Sequence, residues 1–270
     1  MKLEYAARVE IGPRETNDDR ILMDNHILDG TSLRGEVTLP AVAAVCDGCG
    51  GYDGGGIAAQ TVLEFLSYET PESLGDPQYL AQVLDNCTQV IFEKKAEMPD
   101  FQKMCTTIAG CVFLPQSLLL FHAGDSRVYR WDRWGLARMT MDHSVVQEMI
   151  DLGQITEEEA LTSPKRNFIT RCIGALCPSP EIYVANTGIA PGEKYLLCSD
   201  GLWESVSADQ LKDILSKDCP LTEMVDTLVE TALTQGGQDN ISVCICAAGG
   251  HEAVSEKKPF TIDEPGGEPL

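Results

Sequence analysis

Short apolar runs recur along the chain, separated by Gly, Pro, Asn and Asp. They stand at 5–11 (YAARVEI), 41–47 (AVAAVCD), 106–114 (TTIAGCVFL), 117–124 (SLLLFHAG), 127–131 (RVYRW), 181–188 (EIYVANTG), 194–200 (KYLLCSD) and 240–248 (NISVCICAA). Their length and richness in Val, Ile, Leu and aromatics predict strands rather than helices. Residues 106–131 read as a meander, with turns at Pro115-Gln116 and Gly124-Asp125, so the sheets are expected to be mostly antiparallel.

A different period marks the helices. From Asp76 onward, Leu80, Val83, Leu84, Cys87, Val90 and Ile91 share one face, Asp76 suits the cap and Pro77 the first helical position. Ser207 with Gln210 three residues on forms a capping-box pattern. A third stripe runs through Leu221, Met224, Val225, Leu228 and Ala232. The segment from His143 to Ala160 is also helical in character, broken at Gly153, and interrupts the strand series like an insertion. No internal repeat and no linker-like break appears before residue 249. From there GGHEAVSEKKPFTIDEPGGEPL reads as a flexible tail.

Charge narrows the partners. Twenty Lys+Arg against 42 Asp+Glu give a net charge of −22, which repels nucleic acid and anionic membrane and favours metal cations or basic peptide segments. No run approaches the ~18 apolar residues of a membrane span, and MKLEYAARVE lacks a signal-peptide core. A cytoplasmic monomer is expected. Eleven Cys, odd in number and scattered, then read as reduced thiols; Cys111, Cys244 and Cys246 lie in apolar runs as small buried hydrophobes.

Several chemistries are absent. No Cys stands six positions before an Arg, and there is no P-loop, G-x-G-x-x-G, H-E-x-x-H or EF-hand loop. His26, His122, His143 and His251 are scattered, without helical i, i+4 spacing. What remains is a set of Asp residues at the ends of apolar runs: Asp18 and Asp19, Asp47, Asp125, Asp200 and Asp239. Each alone could be a turn residue bonding its own backbone. Converging at one sheet edge, they would repel one another unless hard cations such as Mg²⁺ or Mn²⁺ neutralised them. Periodicity does not distinguish these two readings.

The segments GPRETNDD (12–19), CDGCGG (46–51), CTTIAG (105–110), AGDSRVYR (123–130), MTMDHS (139–144), RNFITRCIG (166–174), LLCSDGLWE (196–204) and GGQDNISV (236–243) resemble, in that order, the motifs of the protein phosphatase 2C family, its bacterial branch most. These are metal-dependent protein serine/threonine phosphatases. The resemblance implies an α+β fold, a four-layer α-β-β-α sandwich of two mostly antiparallel sheets, as a phosphatase domain over residues 1–248 with a tail at 249–270 and a flap at about 143–171.

It also implies two Mn²⁺ or Mg²⁺ ions, with a possible weaker third. Asp47 would bridge the two, joined by the Gly48 carbonyl, with Asp200 and Asp239 completing the first ion's ligands. Asp19, with Asp18 beside it, would hold metal-bound waters. Asp125 would help hold the third ion, and Arg14 would grip the substrate phosphate as a planar, permanently charged guanidinium. A metal-bridging hydroxide would attack phosphoserine or phosphothreonine directly, in opposition to a cytosolic Ser/Thr kinase.

The chain departs from the family pattern at Cys49, where many relatives outside bacteria carry His and bacterial ones Met, so a metal-bound water is expected to protonate the leaving oxygen. It also departs at Asp18 (more usually Glu), Tyr52 and Gly56. Two other functions are weighed against the enzyme: an inactive phosphoprotein-binding relative, and a redox or zinc protein built on Cys46 and Cys49.

Overall fold

The computed structural model describes residues 1–49, 54–185 and 187–249. The N-terminal half forms β1 (Lys2–Glu10), β2 (Arg20–Met23), β3 (His26–Leu28), β4 (Ser32–Thr38), β5 (Ala41–Cys46), β6 (Gly48–Cys49), α1 (Gly55–Tyr68), α2 (Pro71–Leu74) and α3 (Pro77–Glu97). Strands β7 (Cys105–Thr106), β8 (Ile108–Phe113), β9 (Leu118–Ala123), β10 (Arg127–Asp132) and β11 (Gly135–Arg138) follow. The inserted segment carries α4 (Val145–Asp151) and α5 (Glu157–Leu161), broken as expected at Gly153 with φ +66°. The chain then runs through β12 (Glu181–Ala185), β13 (Lys194–Cys198), α6 (Asp200–Trp203), α7 (Ala208–Leu215), α8 (Leu221–Thr234) and β14 (Ile241–Ala248).

Two six-stranded antiparallel sheets result, ordered β11-β10-β13-β14-β1-β4 and β12-β9-β8-β5-β2-β3, with β6-β7 as a separate ribbon. Side chains alternate between faces along each strand. On β5, Ala41, Ala43 and Val45 enter the core between the sheets, while Val42, Ala44 and Cys46 face α1 and α3. On β14, Cys244, Cys246 and Ala248 turn to the inter-sheet core and Ile241, Val243 and Ile245 to α6–α8. The order of layers is therefore helix, sheet, sheet, helix, as expected. Strands buried on both faces read as unbroken apolar runs for this reason, and Cys111, Cys244 and Cys246 are fully buried.

The helix signals hold. Asp76 accepts from the amides of Gln78 (2.8 Å) and Tyr79 (3.3 Å), Ser207 and Gln210 complete a reciprocal capping box, and the predicted stripes of α3 and α8 face the sheets, with Val90 and Leu221 half-buried. One turn differs. Pro115-Gln116 joins β8 to β9 as a hairpin, but Gly124-Asp125 does not fold β10 back onto β9. Both edges of β9 are already occupied, by β8 and β12, so the chain crosses to the other sheet there. That crossover sets Asp125 at the shared edge of the two sheets. Helix α1 carried no sequence signal: its cap, Gly54, has no side chain, and the amide of Gly56 instead donates 3.0 Å to Asp18 Oδ1. Of the expected tail at 249–270, only Gly249 is described, its amide donating to the Lys2 carbonyl (3.1 Å); the rest lies outside the described residues.

Candidate metal centre

Ladder register brings the aspartates together. Arg20 pairs with Cys46 across β2 and β5, so Asp19 and Asp47 leave the same end of that ladder. Cys198 pairs with Val243 across β13 and β14, which puts Asp200 and the approach through Asp239 at the corresponding end of the facing sheet. Asp125 joins them from the crossover.

Neighbouring hydroxyls hold the backbone while leaving carboxyl groups inward. The Asp47 amide donates to Thr107 Oγ1 (3.0 Å), and its carbonyl accepts from the Thr107 amide and Thr106 Oγ1, both at 2.9 Å. Thr107 Oγ1 also meets Ser126 Oγ at 2.7 Å, tying Asp47 to the residue after Asp125. Ser199 Oγ donates 2.7 Å to Asp19 Oδ2 and accepts from the Ser242 amide. Asn240 accepts from the Asp18 amide and donates to the carbonyls of Ile11 and Thr16, fastening the 12–19 loop. Gly48 has no room for a side chain: a Cβ would stand 2.2 Å from the Gly55 carbonyl carbon.

Burial pushes the carboxyl groups toward protonation. Asp47 is raised well above the usual range by burial and then by repulsion from Asp200, Asp19, Asp125 and Asp239. Asp200 rises for the same reasons, through burial and then Asp125, Asp239 and Asp19. Burial also lifts Asp19 to about 7, against the hydrogen bond from Ser199, and lifts Asp125 to about 7 with help from Asp142. Asp200 Oδ1 is buried without a hydrogen-bond partner. Nearby guanidinium charge is committed elsewhere: Arg127 binds Asp142 (2.9 and 2.5 Å) and stacks over Trp203, whose Nε1 donates 3.0 Å to the Asp125 carbonyl. Arg14 alone of the expected cations touches the group, donating to Asp239 Oδ2 (2.6 Å) and the Gln238 carbonyl from a half-exposed position. Hard oxygen donors, surplus negative charge and an orphaned carboxylate oxygen fit divalent cations.

Each sequence-predicted residue therefore lies at one sheet edge, but Asp18 and Asp19 diverge. Asp19 aims at Ser199, while Asp18 turns to the N-terminus of α1, where an anion is favoured. The supporting Thr106, Thr107, Ser199, Trp203 and Asn240 were not singled out from sequence, although each stands in one of the quoted motifs and Ser199 and Asn240 directly adjoin an Asp. Cys46 and Cys49 do not form a pair site: Cys46 is wholly buried against α1 and α3, and Cys49 lies in the β6-β7 ribbon.

A second polar group lies at the roots of the 143–171 segment. His122, His143 and Glu181 offer ligand atoms all within 4.8 Å of one another. Glu181 Oε1 meets both His143 Nε2 (3.3 Å) and Arg171 Nη1 (2.7 Å), and Tyr183 donates its hydroxyl to Oε2.

Fold and site together define an α-β-β-α sandwich whose chemistry is that of a divalent-cation centre. No protein-family model matches the chain. It is 29% identical over 249 residues to a putative protein phosphatase 2C-type of Streptococcus pyogenes, covering 90% of this chain and 96% of that one. It is 32% identical over 246 residues to the serine/threonine protein phosphatase PstP of Mycobacterium tuberculosis, of which this chain spans 44%. The crystal structure of PstP superposes with a TM-score of 0.79 at 30% identity, over 92% of this chain and 99% of that one. A structure of the PstP catalytic domain in complex with two manganese ions matches with a TM-score of 0.76 at 29% identity, over 91% and 98%. The chain belongs to the bacterial PPM, or protein phosphatase 2C, family of serine/threonine phosphatases.

Proposed function

We infer that this chain is a metal-dependent protein serine/threonine phosphatase that hydrolyses phosphoserine and phosphothreonine monoesters. The observation that carries the reading is the convergence of Asp19, Asp47, Asp125, Asp200 and Asp239 without enough local positive charge. Asp47, the Gly48 carbonyl, Asp200 and Asp239 would hold two Mn²⁺ or Mg²⁺ ions. Asp19 would hold their waters, Asp18 being engaged instead by the Gly56 amide at the start of α1, and Asp125 would serve a weaker third ion. When bound, the cations supply Lewis acidity toward the phosphoryl oxygens and acidify water.

The protein's own residues supply position. Thr106 and Thr107 fix the Asp47 backbone, and Ser199 orients Asp19. Arg14, half-exposed on the rim, presents a planar guanidinium suited to two phosphate oxygens at once. Cys49 keeps its proton, because contact with Cys105 and then burial raise its thiol well above the usual value, so it serves as no base.

We place the active unit at residues 1–248, with the 143–171 segment as its flap, acting as a cytoplasmic monomer that opposes a Ser/Thr kinase. Eleven unpaired cysteines support a reducing compartment, and the net charge of −22 supports phosphosites with basic flanks. No helix among the described residues is long and apolar enough to cross a membrane. The test is release of phosphate from a basic phosphothreonine peptide and of p-nitrophenol from its phosphate ester. Turnover with manganese and none with EDTA is expected; no turnover at saturating manganese overturns the reading.

A further inference from the structure

Thiols gather on one side of the carboxylate centre. Cys49 and Cys105 stand directly opposite each other in the β6-β7 ribbon. Cross-strand partners hold their Cα atoms about 4.5–5.5 Å apart, within the span of disulfides, so a small closing of the ribbon joins the sulfurs. The Cys105 thiol interacts with those of both Cys49 and Cys172. Cys172 is brought there by the bridge between Thr106 and Ile173, with amide-to-carbonyl bonds of 3.0 and 2.8 Å, and Cys177 Sγ caps its carbonyl at 3.0 Å. Both ribbon cysteines are half-buried.

The arrangement is a chain of sulfurs rather than a cup. Among the described residues, no three cysteine sulfurs lie within 4.8 Å of one another, so a preformed thiolate metal site is disfavoured. A central thiol with a cross-strand neighbour instead suits disulfide chemistry. The ribbon is also coupled to the metal centre. Cys49 follows Gly48 and Asp47, its Sγ contacts the Asp47 carbonyl at 3.6 Å, and the Gly48 backbone is pressed against Gly55.

We propose that Cys49 and Cys105 are a peroxide-oxidisable dithiol, and that their disulfide lowers turnover by drawing the Asp47-Gly48 backbone out of register with the other aspartates. The Cys105 thiolate attacks one peroxide oxygen, forming an S–O bond as the O–O bond breaks and hydroxide leaves. The Cys49 sulfur then attacks Cys105, forming S–S as the S–O bond breaks, and that oxygen leaves as water. Two thiols and one hydrogen peroxide thus yield one disulfide and two waters; a dithiol reductant reverses the change. The activity arm rests on the phosphatase reading, and the disulfide arm does not.

The experiment treats the metal-free full chain with hydrogen peroxide, removes the excess with catalase, and splits the sample. One half is digested without reductant and searched by mass spectrometry for the Cys49–Cys105 linked peptides. The other is reloaded with manganese and assayed before and after dithiothreitol. The linked pair, with a reversible loss of turnover of at least ~5-fold, is expected. Cys105→Ala, or Cys105→Ser if the first misfolds by circular dichroism, should keep basal turnover and show no reversible loss. Absence of the linked pair, a Cys105–Cys172 link in its place, a linked enzyme with undiminished turnover, or a Cys105 variant as sensitive as the parent would each overturn the proposal. A protein with no turnover at all still reports on the linkage, which is read without any assay.

Discussion

Two polar groups meet at the end of β9, where His122 of one lies near Asp125 of the other, and they balance charge in opposite ways. At the roots of the 143–171 segment, Glu181 is matched inside the protein by Arg171, His143 and Tyr183, and hydrogen bonding to His143, then to Tyr183, holds its carboxyl below the usual range. At the sheet edge, Asp47, Asp200, Asp19 and Asp125 are not matched, and their carboxyls are driven upward. Ligand-atom proximity alone would choose the first group for a metal. Proton accounting does not. His143 Nδ1 accepts the Gly124 amide (3.2 Å), so the neutral ring carries its proton on Nε2, the atom that faces Glu181 and would have to bind the ion. His122 donates Nε2–H to the Met141 carbonyl, leaving a bare Nδ1, and burial and then His143 lower its pKa to about 4. Unbalanced charge, not clustering, marks a cation site.

The contrast breaks most sharply by removing charge from each group. Asp47→Asn and Asp200→Asn should each cost several orders of magnitude in kcat at saturating manganese while leaving the circular dichroism spectrum unchanged. Near-normal turnover in either variant would show that the acidic group is not the reaction centre.

Protons and cations should compete at the acidic group alone. Asp19 and Asp125 titrate near 7 in the folded metal-free chain, above the unfolded value of about 3.9, so the native state holds the extra protons. Stability of the metal-free protein therefore declines as pH rises from about 4 through about 7, and Asp47 and Asp200, raised in the same direction, add to the decline. Manganese at 100 times the dissociation constant it has at about pH 8 should restore ~2.7 kcal/mol there, and the same concentration should restore less at about pH 5. Melting curves with and without the ion measure this; a gain independent of pH would contradict the charge surplus.

Arg14→Ala should raise KM for p-nitrophenyl phosphate about fivefold to tenfold, up to ~1.4 kcal/mol, with a smaller change in kcat. An unchanged KM would confine Arg14 to its contact with Asp239. The smallest effect belongs to the balanced group. Glu181→Gln removes a half-exposed partner of Arg171 and His143, and should cost about 1 kcal/mol, or ~2–4 °C in Tm, with an unaltered manganese titration. A shifted titration would show that the two groups are coupled.

Much of this was legible in the chain itself, wherever local chemistry decides. Asp76 caps α3 and Ser207 boxes α7 because the partner amides lie two or three residues away. The apolar runs at 41–47, 106–114, 117–124 and 240–248 became strands buried on both faces, and the ordered motifs carried the family and pointed to the aspartates proposed as ligands. Local signals failed where the deciding partner is distant. Helix α1 begins at a glycine because the carboxylate that receives its Gly56 amide, Asp18, comes from another loop, 38 residues away. The turn at Gly124-Asp125 looks like a hairpin until β12, which begins only at Glu181, takes the free edge of β9 and sends the chain into the other sheet. Whether several aspartates at strand ends are separate turns or one centre depends on ladder register, and register is set by which strands pair. Residue types and spacing determined which groups could bind a cation; only the paired sheets decided that their charges would share one place and need one.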